Sequence, residues 1–362
     1  MDFRHSEEHQ LLADSLRRFL ADASPMTARN TAAFAFPYHI PTLWAGLARL
    51  GIPGAFVTEA HGGFGGTPAD IMVVFEEIGR NLCIEPLLGT LLGARLLERL
   101  GRGDLLEGVI AGSERLALAV NEPQVACDLD HLAATAHRVD GSWRLQGQKS
   151  AIYGAPAATL VLVVARTDDH LGVFALREPA LIHSAMVDGG GTADLVLSGL
   201  RAECLAQDAR PAIEEALDLG RLALCAETLG AMSHLMALTK DYLQTRKQFG
   251  QALSTFQALR HRAVDMQVDL EQVLSITISA MAEFDGPQRA RHVAMAKALT
   301  GKLAARFAEE AIQLHGGIGM TWEYPGSHYA KRLVMIDHQL GDRHDHIARM
   351  IRADRQDVKA AT

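Results

Sequence analysis

The stretch PAIEEALDLGRLALCAETLGAMSHLMALTKDYLQTR, residues 211–246, predicts one uninterrupted helix. It has no internal proline, and four apolar residues recur on one face at helical spacing. These residues are Leu222, Leu229, Met232 and Leu235. A helix of this length runs about 50 Å. The chain is therefore expected to be mostly helical in this region.

Three further apolar stripes follow this helix. The first lies between residues 266 and 281, the second ends at Gly316-Gly317, and the third covers roughly 327–352. Long amphipathic helices joined by short loops form bundles. Residues 209–362 are therefore predicted to be a C-terminal four-helix bundle.

The middle of the chain has a different pattern. RLALAV (115–120), TLVLVVAR (159–166) and LGVFAL (171–176) are typical of strands, and Asp140-Gly141 separates two alternating runs. An Asp-Gly pair in this setting is a strong hairpin signal. Residues 113–208 are predicted to be a small central β-domain.

The first zone, residues 1–112, again has helical periods. Ser6 and Thr67 are expected to cap helices, with Pro68 at the first helical position and Gly79 as a stop. The loop HGGFGG (61–66) is not followed by the Lys-Ser/Thr of a phosphate loop, which favours a simple turn.

Composition excludes several classes of function. Lys plus Arg number 35 and Asp plus Glu 43, so the net charge is −8. This charge gives no sign of a basic surface that would bind nucleic acid or an anionic membrane. Neither charge-free stretch (30–48 and 150–165) is expected to insert into a membrane, because the first contains prolines and the second is too short. The four cysteines are widely separated, which indicates reduced thiols and a cytoplasmic location. They are Cys83, Cys127, Cys204 and Cys225.

The segment YLQTRKQFGQALSTFQ (242–257) can bind a nucleotide. A helix is expected to end in Arg246–Gly250 and another to begin near Ser254. Arg246 offers a planar fork for phosphate oxygens and Phe249 a flat face for a base. Gln257 lies in the first turn of the second helix, where free N–H groups favour an anion. The alternative is a plain helical hairpin in which Gly250 is a C-cap and both phenylalanines are core.

A second segment, AIQLHGGIGMTWEYP (311–325), places Gln313 one turn before Gly316-Gly317. Two glycines let a ligand or another backbone approach closely. Here too the alternative is an ordinary helix end.

The two segments, in this order and at this distance, resemble the acyl-CoA dehydrogenase family of flavoenzymes, and the resemblance extends over essentially the whole chain. It implies the family's fold: a helical N-domain, a central β-domain and a C-terminal helical bundle. In that family the R-x-Q-F-G and Q-x-x-G-G elements of one protomer hold the ADP part of an FAD whose ring lies in the neighbouring protomer. The resemblance assigns FAD contacts to Arg246, Gln248, Phe249, Gln313, Gly316 and Gly317, with Phe256 and Gln257 as weaker additions.

The family's reaction needs a carboxylate to remove the α-proton of an acyl thioester while hydride leaves the β-carbon. The family places this glutamate in one of two positions. Here the first position is Gly220, before Arg221-Leu222, and the second is Leu340, before Gly341. The family pattern near the flavin also differs, since KSAIYGAP has Ala151 in place of a tryptophan and Tyr153 in place of a small hydroxyl.

The nucleotide elements are thus present while the base and ring contacts are absent. The chain resembles most the small subunit of heteromeric bacterial acyl-CoA dehydrogenases, of the pimeloyl-CoA and steroid side-chain types. This resemblance rests on LHGGIGMTWEYPGSHYAKRLVMIDHQLGD (314–342). It implies a larger partner subunit, two of each in the complex, an acyl-CoA substrate and electron-transfer flavoprotein as acceptor, with no catalytic residue in this chain.

Two other hypotheses remain. A self-sufficient homo-oligomer would use Asp342 or Glu227 as the base. A non-catalytic helical scaffold would bind no flavin. The aspartates and histidines of 337–346 also suggest a metal site, but exposed histidines near a C-terminus are common, and we predict no metal.

Overall fold

The computed structural model describes residues 6–125 and 128–361, with side chains as far as residue 353. Within those residues, helices come before and after a β-rich stretch of the sequence. The helices are α1 (Glu7–Ala23), α2 (Met26–Ala33), α3 (Pro41–Arg49), α4 (Pro68–Asn81), α5 (Leu87–Arg99), α6 (Gly103–Ile110), α7 (Arg210–Thr245), α8 (Gln257–Ala282), α9 (Arg289–His315), α10 (Pro325–His338) and α11 (Arg343–Ala361).

The strands lie mainly between α6 and α7, and a two-stranded hairpin lies between α7 and α8. They are β1 (Leu116–Ala119), β2 (Thr135–Val139), β3 (Ser142–Tyr153), β4 (Leu160–Thr167), β5 (His170–Arg177), β6 (Ile182–Ala185), β7 (Gly191–Ala206), β8 (Lys247–Gln248) and β9 (Gln251–Ala252).

The chain divides into two compact units, each built from separate stretches of sequence. The bundle unit contains residues 6–21, 72–83 and 221–361. The sheet unit contains residues 22–71 and 84–220, apart from 126 and 127.

In the bundle unit, helix α4 approaches helix α7 at two glycines. A side chain at Gly79 would overlap the carbonyl oxygen of Glu227, and one at Gly230 would overlap the carbonyl oxygen of Glu76. The prediction that Gly79 ends α4 was wrong, because the helix continues to Asn81. A glycine here serves close packing of two helices and not termination.

Helix α7 is as long as the sequence predicts, with 36 residues. All four residues of its predicted apolar stripe are buried, namely Leu222, Leu229, Met232 and Leu235. It is long and apolar enough to cross a membrane by composition, but 78% of its most apolar 18-residue window is buried inside the protein. This burial is what a core helix shows.

The last predicted helical stretch, 327–352, is two helices. Helices α10 and α11 are separated by a turn in which Leu340 and Gly341 have φ of 57° and 94°. The prediction of one stretch failed because the apolar period continues across this left-handed turn. Similarly, the helix expected near Ser254 begins at Gln257, after a short 3₁₀ turn over Leu253–Thr255.

Both predicted helix caps are confirmed. The Ser6 hydroxyl accepts the N–H of His9 at 3.2 Å. The Thr67 hydroxyl accepts the N–H of Asp70 at 3.2 Å, while the Asp70 carboxylate accepts the N–H of Thr67 at 3.0 Å. This reciprocal pair is a capping box with aspartate in the usual glutamate position.

The sheet unit contains a closed ring of strands. Pairing runs β4–β2–β3–β7–β5 and returns to β4, with β1 on β4 and β6 on β7. The predicted hairpin is confirmed, since β2 and β3 pair antiparallel across Asp140-Gly141. The longest strand, β7, was not predicted, because charged residues and Gly199 interrupt its alternation.

Three cysteines, Cys83, Cys204 and Cys225, are free thiols. Burial raises the pKa of the Cys225 thiol to about 11, so it is an inert core residue. Cys127 lies outside the described residues.

Candidate functional site

The first predicted nucleotide segment is a tight β-hairpin and not a helical turn. Strands β8 and β9 pair on either side of Phe249 and Gly250, whose φ values of 53° and 79° are both left-handed. Two positive φ values at the turn centre are typical of a type I′ hairpin. The hairpin is closed at its base, where the N–H of Leu253 donates to the carbonyl of Arg246 at 2.9 Å.

The side chains of this hairpin face solvent. Arg246 and Gln248 are exposed, and neither side chain has a hydrogen-bond or ion-pair partner among the described residues. Phe249 is 91% exposed and touches Phe256 edge-on, with ring centroids 6.2 Å apart. The alternative in which Phe249 is core is therefore wrong. Gln257 opens α8, as predicted, and is exposed.

The second segment ends α9. Gln313 is exposed on its last turn, and the helix stops at His315. Gly316 has φ 64° and ψ −145°, a conformation that only glycine adopts readily. A side chain at Gly316 or Gly317 would meet no atom within 4 Å, so the backbone here is open to a ligand.

The structure brings the two segments to the same end of the bundle unit. The ring of Tyr242, on the last turns of α7, lies 4.8 Å from the ring of His315 at the end of α9. The carbonyl of Tyr242 accepts the N–H of Arg246 at 2.8 Å, and His315 immediately precedes Gly316. One aromatic contact thus links the start of each segment.

This arrangement fits the ADP part of FAD. An unpaired guanidinium at Arg246 can take two phosphate oxygens, and the exposed Phe249 can lie against a base. Helix α8 begins without a side-chain cap at Phe256, which leaves its first N–H groups available to an anion. The open backbone at Gly316 and Gly317 lets a flat ligand approach closely.

Glu227, one of the two candidate bases, is engaged in a buried ion pair. The Arg332 guanidinium donates to both carboxylate oxygens, Nε to Oε1 at 2.7 Å and Nη2 to Oε2 at 2.8 Å. Glu227 is 3% and Arg332 9% exposed. A carboxylate held this way joins α7 to α10, and both of its oxygens are occupied by the guanidinium. Its partner in α10 was not recognised from the sequence.

Asp342, the other candidate, caps α11. Its carboxylate accepts the N–H groups of His344 and Asp345 at 2.7 and 2.9 Å. Burial alone would raise its pKa, but these backbone hydrogen bonds, together with the charges of His344 and His338, lower it overall. A lowered pKa makes Asp342 a weaker proton acceptor than an ordinary aspartate.

The family's second base position, Leu340, is an apolar residue that is 4% exposed. Its carbonyl accepts the Arg221 Nε–H at 3.0 Å.

No metal-type cluster of three histidine, cysteine or carboxylate side chains occurs within the described residues. Residues 337–346 are divided between α10, the turn and α11, so they do not share the single helix assumed in the sequence analysis.

Sequence reasoning missed a buried ion pair in the sheet unit. The Lys149 ammonium donates to Glu122 Oε1 at 2.7 Å and to the carbonyl of Val120 at 3.1 Å. Burial lowers the pKa of Lys149, and the Glu122 carboxylate partly offsets this. Lys149 opens the KSAIYGAP stretch (149–156) and Glu122 lies in NEP (121–123), but no local pattern in the sequence pairs these two stretches.

Ala151, in place of the family's tryptophan, lies in a β-bulge. Its φ is 48°, and its N–H donates to the Asp194 carboxylate at 2.9 Å. The register of β3 on β7 shifts between Lys149 and Ile152. A methyl group at this position supplies no aromatic wall.

The comparisons with known proteins show the family to which the chain belongs. Residues 210–338 match the family model for the acyl-CoA dehydrogenase C-terminal domain, and residues 6–107 match that for the N-terminal domain. The acyl-CoA dehydrogenase IpdE2 of Mycobacterium tuberculosis is 30% identical over 333 residues, covering 90% of this chain and 91% of that protein.

Two solved structures are similar over nearly the whole chain. The Tcur3481-Tcur3483 steroid ACAD G363A variant has a TM-score of 0.90 and 28% identity, covering 98% of this chain and 99% of its own. The ChsE4-ChsE5 complex from Mycobacterium tuberculosis has a TM-score of 0.88 and 23% identity, covering 97% and 98%, and this second likeness shows the fold alone.

Proposed function

Because this chain belongs to the acyl-CoA dehydrogenase family, whose members are FAD-dependent oxidoreductases acting on CH–CH bonds, we propose that it is the small subunit of a heteromeric acyl-CoA dehydrogenase. In this proposal it completes the FAD site of a larger subunit and contributes no base. Its substrate class is an acyl-CoA thioester, electron-transfer flavoprotein is the acceptor, and the complex is cytoplasmic with two copies of each subunit.

One observation carries the proposal: the hairpin side chains assigned to the nucleotide lie exposed, while both family base positions lack a carboxylate. Arg246 and Gln248 have no side-chain partner among the described residues. Gly220 and Leu340 hold no acid. A site with one half present is useful when a different subunit brings the other half. The similar Tcur3481-Tcur3483 and ChsE4-ChsE5 structures are each named for two proteins, which supports this arrangement.

The chemistry that FAD supplies in this family is hydride acceptance from the β-carbon of the acyl chain. This chain's part is binding. Arg246 neutralises pyrophosphate charge, and the Phe249 ring covers the base. Hydrogen bonds to FAD come from three glutamines, Gln248, Gln257 and Gln313, and from the open backbone at the Gly316 turn. Phe256 supports the hairpin. The α-proton is removed by a carboxylate of the larger subunit.

The proposal is tested by purifying the chain alone and together with a longer acyl-CoA dehydrogenase subunit from the same genome. We expect the lone chain to hold little FAD and to reduce no dye with acyl-CoA esters. The complex should hold stoichiometric FAD and show acyl-CoA-dependent dye reduction. Full turnover and stoichiometric flavin in the lone chain would contradict the proposal.

Arg246→Ala tests the assigned contact in the complex. Loss of a charge-assisted hydrogen bond costs about 1.5–3 kcal/mol, so FAD affinity should fall about ten- to 150-fold. Arg201→Ala is the control, because Arg201 is an exposed arginine on β7. Equal FAD affinity in Arg246→Ala and Arg201→Ala would remove Arg246 from the site.

A further inference from the structure

Three aromatic side chains form a compact cluster beneath the two nucleotide-binding segments. His315 is 4% exposed and lies between Tyr242 and Tyr324, with ring centroids 4.8 and 4.9 Å away. Tyr242 comes from α7, His315 ends α9, and Tyr324 immediately precedes α10. The cluster therefore joins three pieces of chain at one end of the bundle unit.

The hydrogen bonds of His315 define its tautomer. Nδ1 lies 2.7 Å from the carbonyl oxygen of Ala311, which can only accept, so Nδ1 carries the proton. Nε2 lies 2.7 Å from the Tyr324 hydroxyl, and its free lone pair accepts that hydroxyl's proton. Burial lowers the pKa of His315 more than hydrogen bonds to the carbonyls of Ala311 and Leu238 raise it, and the lowered pKa favours the neutral form.

The cluster constrains both segments at their starting points. Tyr242 is one turn before Arg246 and receives its N–H, and His315 directly precedes the Gly316 turn. The Tyr324 hydroxyl ties the far side of that turn back to the end of α9. The Gly316 N–H donates to the carbonyl of Ile312 in α9, but a Cβ added at Gly316 or Gly317 would meet no atom within 4 Å, so no other element packs against that side of the turn. The position of the open turn thus depends on its flanks.

We propose that Tyr242, His315 and Tyr324 are positioning residues that hold the Arg246 hairpin and the Gly316 turn at a fixed separation before the cofactor binds. This inference rests on the proposed function of the two segments. Pre-arranged binding groups lose less conformational freedom on binding, so affinity depends on residues that do not touch the ligand. The hydrogen bond between Tyr324 and His315 is the contact of the cluster that can be removed by deleting a single oxygen atom.

The test compares two tyrosine variants in the complex with the larger subunit. Tyr324→Phe removes the hydroxyl bound to His315 and keeps the ring. Tyr329→Phe is the matched control, because the Tyr329 hydroxyl donates to the carbonyl of Arg80 at 2.5 Å elsewhere in the bundle unit. Each variant loses one hydrogen bond to a protein acceptor, so a loss of stability is expected in both.

FAD affinity separates the two variants. We expect Tyr324→Phe to weaken FAD binding between about twofold and tenfold, and Tyr329→Phe to leave it unchanged. His315→Gln, whose amide oxygen can accept from Tyr324, should bind FAD better than His315→Leu. Equal FAD affinity in Tyr324→Phe and the parent, or an equal loss in Tyr329→Phe, would overturn the inference. No FAD in the parent complex would instead defeat the proposed function.

A second measurement needs no cofactor. Amide hydrogen exchange in the FAD-free full chain should be faster in Tyr324→Phe than in the parent at two separate places, 316–320 and 246–252. Unchanged exchange at 246–252 would show that the cluster does not connect the segments.

Discussion

His346 should make the stability of this protein depend on pH. It is 2% exposed, and its pKa is lowered to about 2 from an ordinary 6.5. Burial is the main cause, followed by the positive charges of Arg221 from α7, Lys297 from α9 and Arg349 from its own helix. The Leu340 carbonyl acts weakly in the opposite direction.

The direction of this pH dependence follows from how many protons the folded and unfolded chains bind. Below pH 6.5 the unfolded chain takes up a proton on this histidine while the folded chain does not, so folding stability is lost as pH falls from 6.5 towards 2. Between pH 7.5 and 5.5 the protonation of one such group in the unfolded state lowers the free energy of unfolding by about 1.4 kcal/mol. The loss continues at about 1.4 kcal/mol per pH unit below that.

The assay is urea unfolding of the parent and of His346→Gln at pH 7.5 and 5.5. The variant cannot take up the proton, so its free energy of unfolding should fall less than that of the parent by about 1.4 kcal/mol. His261→Gln, at an exposed histidine of the same unit, should follow the parent. The same pH dependence in His346→Gln and the parent would refute the reasoning, whatever the absolute stabilities.

Three further predictions concern substitutions in the bundle unit, and the control for the first of them, Gly103→Ala, lies in the sheet unit. Gly230→Ala should lower the free energy of unfolding by about 1–3 kcal/mol, because its methyl group overlaps the backbone of α4, while Gly103→Ala, which meets nothing within 4 Å, should be neutral or stabilising in thermal unfolding. Glu227→Gln should cost about 3–5 kcal/mol in chemical denaturation, since it leaves Arg332 buried without its charge partner; a loss of activity in the complex at full stability would instead indicate a base. Gly316→Ala should cost about 1–3 kcal/mol through backbone conformation, although there is space for the methyl group, and equal stability would show that the turn can relax.

Much of the secondary structure could be predicted because its signals are local. The long α7 follows from an unbroken 3.6-residue period, and the β2–β3 hairpin follows from Asp140-Gly141. The caps at Ser6 and Thr67 depend only on residues within one turn. The predicted secondary structure was wrong where the same local sequence pattern is compatible with two different structures. Gly79 was expected to end a helix but allows close helix packing, and the apolar period of 327–352 does not reveal the left-handed turn at Leu340.

The residue types alone suggested nucleotide contacts for Arg246, Phe249 and Gln257, but only the family resemblance favoured these contacts over a plain helical hairpin. Physical reasoning from the sequence left open whether Phe249 was core or exposed. Its 91% exposure depends on a two-strand hairpin whose turn residues both have positive φ. No local pattern distinguishes that hairpin from a helical turn.

The order of residues along the chain was enough to specify the helical and strand periods, the absence of acids at positions 220 and 340, and the choice of residue types suited to a nucleotide. The pairing of Glu227 with Arg332, 105 positions away, and of Tyr324 with His315 was settled by the packing of helices against one another. Side-chain partners in a bundle are chosen by which helix faces meet, and this depends on the whole set of apolar surfaces being buried together. The number of residues between two groups carries no information about that meeting.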